Sequence, residues 1–308
     1  MKLNVGIIYG GRSSEVDISL STSREIIKNL NKDKYNIIEI FIPYELDNKW
    51  VLDLINNKLD IVIIALHGGI GENGSIQGLL ECLNIPYIGS GVLGSAIGMN
   101  KYITKQLLKN ANIKVANSLF IKNKDKLNDI DLSNLNYPLV VKPNEDGSSV
   151  GIKIVNNFEE LIEGINKIRK LGQDILIEEY IKGNEVSCGV IETINGIEAL
   201  EVLDIKSNST FYDYDAKYKD NNTYIDVSSL DKDIVDKIKK TARRVFITLN
   251  SKDYARVDMI VNDNGIYVLE INTLPGMTSH SLIPKELNIK KISYSEFLDN
   301  LIESKLSK

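Results

Sequence analysis

Short apolar runs alternate with amphipathic stretches at the start of the chain. "LNVGIIY", "YNIIEIFI" and "LDIVIIAL" read as strands, and helices are predicted from about Ser14 to Leu30 and from about Ser75 to Leu83. Strands alternating with helices argue for a parallel sheet covered on its faces, with ligands at the ends of the strands. "YGGRSSE" and "LHGGIGENGS" both follow strands and lead into helices, so they mark that edge. From about Met99 the pattern becomes α+β. A helix begins near Lys101, followed by strands "VANSLFI", "YPLVVKP" and "GIKIV", a helix from about Phe158 to Leu171, and strand "DILIEEYI". The remainder holds long strands around "EVSCGVIETI" and "IEALEVL", a helix from about Asp231 to Leu249, and a hairpin from Tyr254 to Asn272. The stretch from Asp204 to Asp226 has little to put in a core and reads as a lid loop.

The hairpin "YARVDMIVNDNGIYVLEIN" carries polar residues at alternate positions. A three-residue Asp263-Asn264-Gly265 loop sets Asp258 opposite Glu270 and Arg256 opposite Asn272. Val257, Met259, Val261, Tyr267, Leu269 and Ile271 then share the apolar face. Two carboxylates and an amide oxygen on one face call for a divalent cation, Mg²⁺ or Mn²⁺, with phosphates completing the shell. A solvated sheet face with cross-strand charge pairs would carry the same residues. In "VVKPNEDGSSVG" a strand ends in Lys142 just before Gly147, Ser148, Ser149 and Gly151, where backbone N–H groups can close on phosphate oxygens. A plain turn would look similar. Neither glycine stretch is a Walker loop or a dinucleotide fingerprint.

The totals narrow the field. A chain of 308 residues exceeds one comfortable core, so two or three domains are expected. A net charge of −5 offers no basic face for nucleic acid or anionic membrane. Cys82 and Cys188 are too few and too distant for a disulfide framework, which fits a reducing cytoplasm. No stretch reaches the roughly 20 apolar residues of a membrane span, and the N-terminus does not resemble a signal peptide.

Taken in order, "HGGIGENGSIQG", "VKPNEDGSSVG", "FYDYDAKY", "RVDMI" and "LEINTLPGMTSHSLIP" resemble the D-alanine–D-alanine ligases of the ATP-grasp superfamily, almost end to end. The resemblance implies three domains: residues 1–98, an α/β substrate-binding unit; 99–183, a central α+β unit; and 184–308, a C-terminal α+β unit with the metal site and the lid. ATP would lie between the second and third. The implied reaction joins two D-alanines for peptidoglycan synthesis through an acyl phosphate, releasing ADP and phosphate.

By motif, Asp258, Glu270 and Asn272 would hold two Mg²⁺ or Mn²⁺ ions. Lys101 and Lys142 would contact the ATP phosphates under the loop of Gly147, Ser148 and Ser149. Glu178 would accept the adenine amino group, the backbone of Glu179, Tyr180 and Ile181 would read the ring edge, and Glu185 would take the ribose. Glu15 would hold the first substrate's ammonium and join Ser148 and Tyr218 in closing the lid. Lys217, Ser281 and the Leu282 N–H would grip the second substrate's carboxylate. Arg256 and the Gly276 N–H would stabilise the oxyanion. His67 is assigned to substrate orientation or proton handling, whereas His280 reads as a hydrogen-bonded loop residue. Two positions depart from the family pattern: Asn73 stands where Asp is usual, and Asp146 where Glu is usual. The resemblance also implies a homodimer in the cytoplasm. Other readings are D-serine or D-lactate as the second substrate, a ligase for a larger substrate, or a catalytically silent nucleotide-binding module.

Overall fold

The computed structural model describes the chain except for residues 1, 46, 127–130, 146, 148–150, 207–223 and 308. Strands β1 (Leu3–Gly10), β2 (Tyr35–Ile42), β3 (Ile61–Ile64) and β4 (Tyr87–Ile88) form a parallel sheet in the order β2-β1-β3-β4. Helix α1 (Val16–Asn29) follows β1, α2 (Trp50–Asn56) follows β2 and α3 (Ser75–Cys82) follows β3. Helix α1 buries Ile18, Ser19, Thr22 and Ile26, one stripe at helical spacing. The Ser19 hydroxyl accepts the Gly10 N–H at 2.8 Å and donates to the Ala65 carbonyl at 2.6 Å, fastening that stripe to two strand ends.

Helices α4 (Val92–Met99) and α5 (Lys101–Asn110) lead to an antiparallel sheet, β5 (Ser118–Ile121), β6 (Leu139–Pro143), β7 (Lys153–Val155) and β8 (Ile175–Glu179), ordered β5-β8-β6-β7. Helix α6 (Phe158–Lys170) starts where the Asn157 side chain accepts the Glu160 N–H, and it packs Leu161, Ile165 and Ile168 on that sheet. The third sheet, also antiparallel, runs β11-β10-β9-β12-β13: β9 (Asn184–Thr193), β10 (Gly196–Lys206), β11 (Tyr224–Val227), β12 (Tyr254–Asn262) and β13 (Gly265–Asn272). Helix α7 (Lys232–Thr248) lays Ile238, Ala242, Val245 and Phe246 against it. The chain then returns to its beginning. Helices α8 (Leu282–Ile289) and α9 (Tyr294–Leu306) put Ile283, Phe297, Leu301 and Ile302 into the same core as Val5, Ile7 and Ile63.

Two sequence expectations need correction. The β12–β13 turn has two residues, with Asn262 paired to Gly265, and the register shifts between Asp258 and Met259. Asp258 does face Glu270 and Arg256 does face Asn272, but a bulge produces that register. Between bulge and turn the parity is reversed, so Ile266 and Val268 join the core where Tyr267 and Leu269 were expected. The second correction concerns the lid. Residues 204–206 and 224–226 are paired strand, not loop; residues 207–223 lie outside the described residues.

Candidate active site

Among the described residues, Glu15, Gly68 and Gly147 come together, and Lys101 approaches Glu270. Glu15 stands at the N-terminus of α1, and its Oε2 is wedged between two glycine backbones. A Cβ built on Gly68 or Gly147 would fall 2.8 or 2.7 Å from that oxygen. Only glycine allows both loops to approach so closely. Glu15 and the loop at Gly147 are therefore neighbours, although one follows β1 and the other follows β6. Ser148, Ser149, Lys217 and Tyr218 lie outside the described residues.

Glu72, to which the sequence motifs assign no role, accepts the Gly68 N–H at 2.9 Å. Burial, then the charges of Glu15 and Glu270, push its carboxyl up to about 8, against the Gly68 bond and Lys101. It therefore holds a proton at neutral pH. His67 is also buried. Its Nδ1 lies 3.0 Å from the Leu274 carbonyl and its Nε2 2.9 Å from the Thr22 hydroxyl. Burial lowers its pKa to about 4, with the Leu274 bond opposing and Arg256 adding to the effect. Both ring nitrogens are engaged and the ring is neutral, so proton handling does not fit His67. It joins the first sheet to the loop after β13.

On the third sheet, Arg256 reaches Asp258 two residues along the same face of β12. Its Nε lies 2.9 Å from Oδ1 and its Nη2 2.7 Å from Oδ2. Ser187 on β9 donates to Oδ1 at 2.7 Å. Glu270 lies 3.9 Å from the Lys101 ammonium, and the Asn272 side-chain oxygen accepts the Leu274 N–H at 3.2 Å. The donor set of Asp258, Glu270 and Asn272 is all oxygen on two adjacent strands, which suits a hard divalent cation. Beside it, Gly189 lies opposite Arg256, where the β9–β10 register slips between Ala199 and Val202. The buried Glu286 of α8 accepts the Gly189 N–H at 2.7 Å. Burial holds its carboxyl well above the usual carboxylate range, against the Gly189 bond and Arg256.

The sequence expectation sent Lys142 and Glu178 to opposite ends of a nucleotide. The structure joins them: the buried Glu178 carboxylate lies 2.5 Å from Lys142 and 2.7 Å from Lys105. Lys105 was missed. Its signal was the four-residue spacing from Lys101, which puts both lysines on one face of α5. Nearby, the N–H groups of Glu179 and Tyr180 donate to the Asn117 and Pro138 carbonyls. Glu185 lies on β9 opposite Ile260. Ser281 stands at the N-cap position of α8 without a side-chain capping bond and instead accepts the Thr278 N–H at 3.0 Å, with Leu282 the first residue of the helix. Gly276 is buried in the preceding loop, and His280 is exposed.

Residues 107–303 match the family model described as the D-ala D-ala ligase C-terminus. The chain belongs to the D-alanine–D-alanine ligase family. The matching N-terminal model covers residues 4–58 and 51–90. A D-alanine–D-alanine ligase of Bacillus anthracis is 41% identical over 99% of this chain and 97% of its own. A Bacillus anthracis D-alanine–D-alanine ligase structure complexed with ATP superposes with a TM-score of 0.86 at 37% identity, covering 99% of this chain and 98% of that one. A D-Ala:D-Ser ligase from Enterococcus faecalis gives 0.84 at 30% identity, covering 98% and 99%. The fold is that of the ATP-grasp enzymes.

Proposed function

We propose that the chain joins two D-alanine molecules at the expense of ATP, through an acyl phosphate, releasing ADP and phosphate. The observation that carries this reading is the position of Glu15 against Gly147. A carboxylate able to hold an amino acid's ammonium touches the loop expected to cover the γ-phosphate. An amino acid held there offers its own carboxylate to that phosphate. Lys101 and Lys142 hold the phosphates in line, so positioning and charge stabilisation carry the first step.

In the second step the amine of another D-alanine attacks the acyl carbon. Negative charge develops on the former carbonyl oxygen, and phosphate leaves. Arg256, whose guanidinium is fixed by Asp258, and the Gly276 N–H stabilise that oxygen. Ser281 and the N–H of Leu282, at the start of α8, take the second substrate's carboxylate, where a helix N-terminus favours an anion. Asp258, Glu270 and Asn272 would hold two Mg²⁺ or Mn²⁺ ions, which supply neutralisation of phosphate charge when bound. Protonated Glu72 beside Glu15 limits the repulsion between the two carboxyl groups. Lys217, Ser148, Ser149 and Tyr218 keep the roles the motifs imply, as do the domain division and the homodimer in the cytoplasm. Among the described residues, no helix is long and apolar enough to cross a membrane.

The test is phosphate release with Mg-ATP and D-alanine, alone or with D-serine or D-lactate, with mass analysis of the products. D-alanyl-D-alanine as the main product, lost in Glu270→Gln, is the expected result. A mixed dipeptide or depsipeptide as the main product would replace D-alanine at the second site. No turnover with any pair would overturn the enzymatic reading.

A further inference from the structure

The loop that follows β13 carries the Gly276 N–H, and two of its backbone groups are held by side chains of α1 and of the loop after β3. His67 Nδ1 lies 3.0 Å from the Leu274 carbonyl, and the Met277 N–H points at the Thr22 hydroxyl at 3.4 Å. Thr22 and His67 Nε2 are 2.9 Å apart, closing the circuit.

Only one arrangement of protons satisfies all three contacts. A carbonyl oxygen can only accept, so Nδ1 carries the hydrogen and, in a neutral ring, Nε2 presents a lone pair. The Thr22 O–H must then donate to Nε2. Its oxygen is left to accept the Met277 N–H. Leu274 and Met277 are thus clasped from one side, bracketing Pro275 and Gly276. The Gly276 N–H takes no part in the clasp.

Thr22 is 2% exposed, and valine would fill its space equally well, so packing alone does not call for a hydroxyl. Its place on α1 gives the hydroxyl a use. Glu15 and Thr22 are seven residues apart, about two turns and about 10 Å along one helix face. Ser19, between them, is bonded to Gly10 and Ala65, which prevents that helix from sliding on the sheet.

We infer that Thr22 is a positioning residue that, with His67, sets the Gly276 N–H relative to Glu15 and so keeps the oxyanion donor in register with the first substrate. This inference rests on the reading of Gly276 as an oxyanion donor. Helix α1 acts as the ruler: its N-terminus positions one reactant, and its second turn positions the donor that serves the tetrahedral intermediate. Loss of the hydroxyl leaves a buried imidazole nitrogen and a buried N–H without partners, and the loop relaxes to satisfy them.

The experiment compares Thr22→Val and Thr22→Ser in the full-length protein by steady-state kinetics and by amide hydrogen exchange at Met277. In Thr22→Val, kcat is expected to fall by about tenfold to a hundredfold, short of or equal to the effect of removing an oxyanion donor outright. The KM for ATP stays within about twofold, because the nucleotide contacts lie elsewhere. Met277 exchange accelerates, and Thr22→Ser restores both readouts. Wild-type exchange in Thr22→Val overturns the clasp. Faster exchange with wild-type kcat overturns the donor role of Gly276 and leaves the clasp standing. A serine variant that behaves like the valine variant assigns Thr22 to packing and overturns the inference. If the valine variant does not fold, Thr22→Ala is read by the same two measurements.

Discussion

Replacing Glu178 by glutamine tests the electrostatics of the nucleotide region before any ligand is added. The carboxylate is 3% exposed and faces two ammonium groups, Lys142 at 2.5 Å and Lys105 at 2.7 Å. Burial by itself would raise its pKa, but the two lysines outweigh burial and hold it at about 2, against 4.5 for an ordinary glutamate. For Glu178 alone that difference corresponds to about 3 kcal/mol of stability at neutral pH, while burial lowers the pKa of Lys105 and works against it. That figure agrees with the roughly 3–5 kcal/mol lost when one partner is removed from a buried ion pair. Since the folded pKa lies below the unfolded one, the contribution is complete above pH 4.5 and is lost as pH falls toward 2. Urea unfolding at pH 7, without nucleotide, should therefore show Glu178→Gln destabilised by about 3 kcal/mol. Lys105→Met tests the same cluster from the other side. In the wild-type background it leaves Glu178 paired with Lys142, and the loss should be smaller. In the Glu178→Gln background it removes an uncompensated buried charge, and the sign should reverse to a gain. A Glu178→Gln variant within about 1 kcal/mol of wild type, or a double mutant less stable than the single one, would refute the reasoning.

Arg256→Lys should lower kcat by about a hundredfold or more, since lysine cannot hold Asp258 by two nitrogens while facing the oxyanion; stopped-time product assays at saturating ATP and D-alanine check this. His67 stays neutral down to about 4, below its ordinary 6.5, so its contribution to stability is complete above pH 6.5 and is lost as pH falls toward 4. Between pH 7 and pH 5 that loss should reach about 2 kcal/mol, and urea titrations should find it absent in His67→Gln. Glu286 has the opposite sign: its pKa is raised by burial, so its favourable state is complete below the ordinary 4.5 and is lost as pH rises. Glu286→Gln keeps an acceptor for the Gly189 N–H and cannot ionise, so its Tm relative to wild type should be higher at pH 8 than at pH 5.

Much of the candidate site is legible in the sequence, because chemistry that depends on one residue type leaves a local mark. Asp258, Glu270, Asn272 and Arg256 sit at strand spacing, and Gly147 follows Lys142 at a strand end. The cross-strand pairing was anticipated through a loop that proved wrong, since a two-residue turn and a bulge reach the same register. Tyr267 and Leu269 were misplaced for that reason: a bulge leaves no signature in alternation and reverses the parity of the residues around it. Lys105, Thr22 and Glu286 were missed because each acts through a residue distant in the chain. Glu178 lies 73 positions from Lys105, and Gly189 lies 97 positions from Glu286.

By itself, the order of apolar and polar residues determined the alternation of strands and helices at the start of the chain, and the motifs determined the family. Those properties depend on neighbours within a turn or a strand, and a linear pattern records them. Only the tertiary structure decided which charges meet and which groups keep their protons. It put Glu15 against Gly147, bound Glu178 to two lysines instead of leaving it at a solvated strand end, and buried His67 between Thr22 and Leu274. A pKa or a hydrogen-bond direction is set by every group within a few ångströms and by the exclusion of water. Both depend on folded proximity, which the sequence does not record.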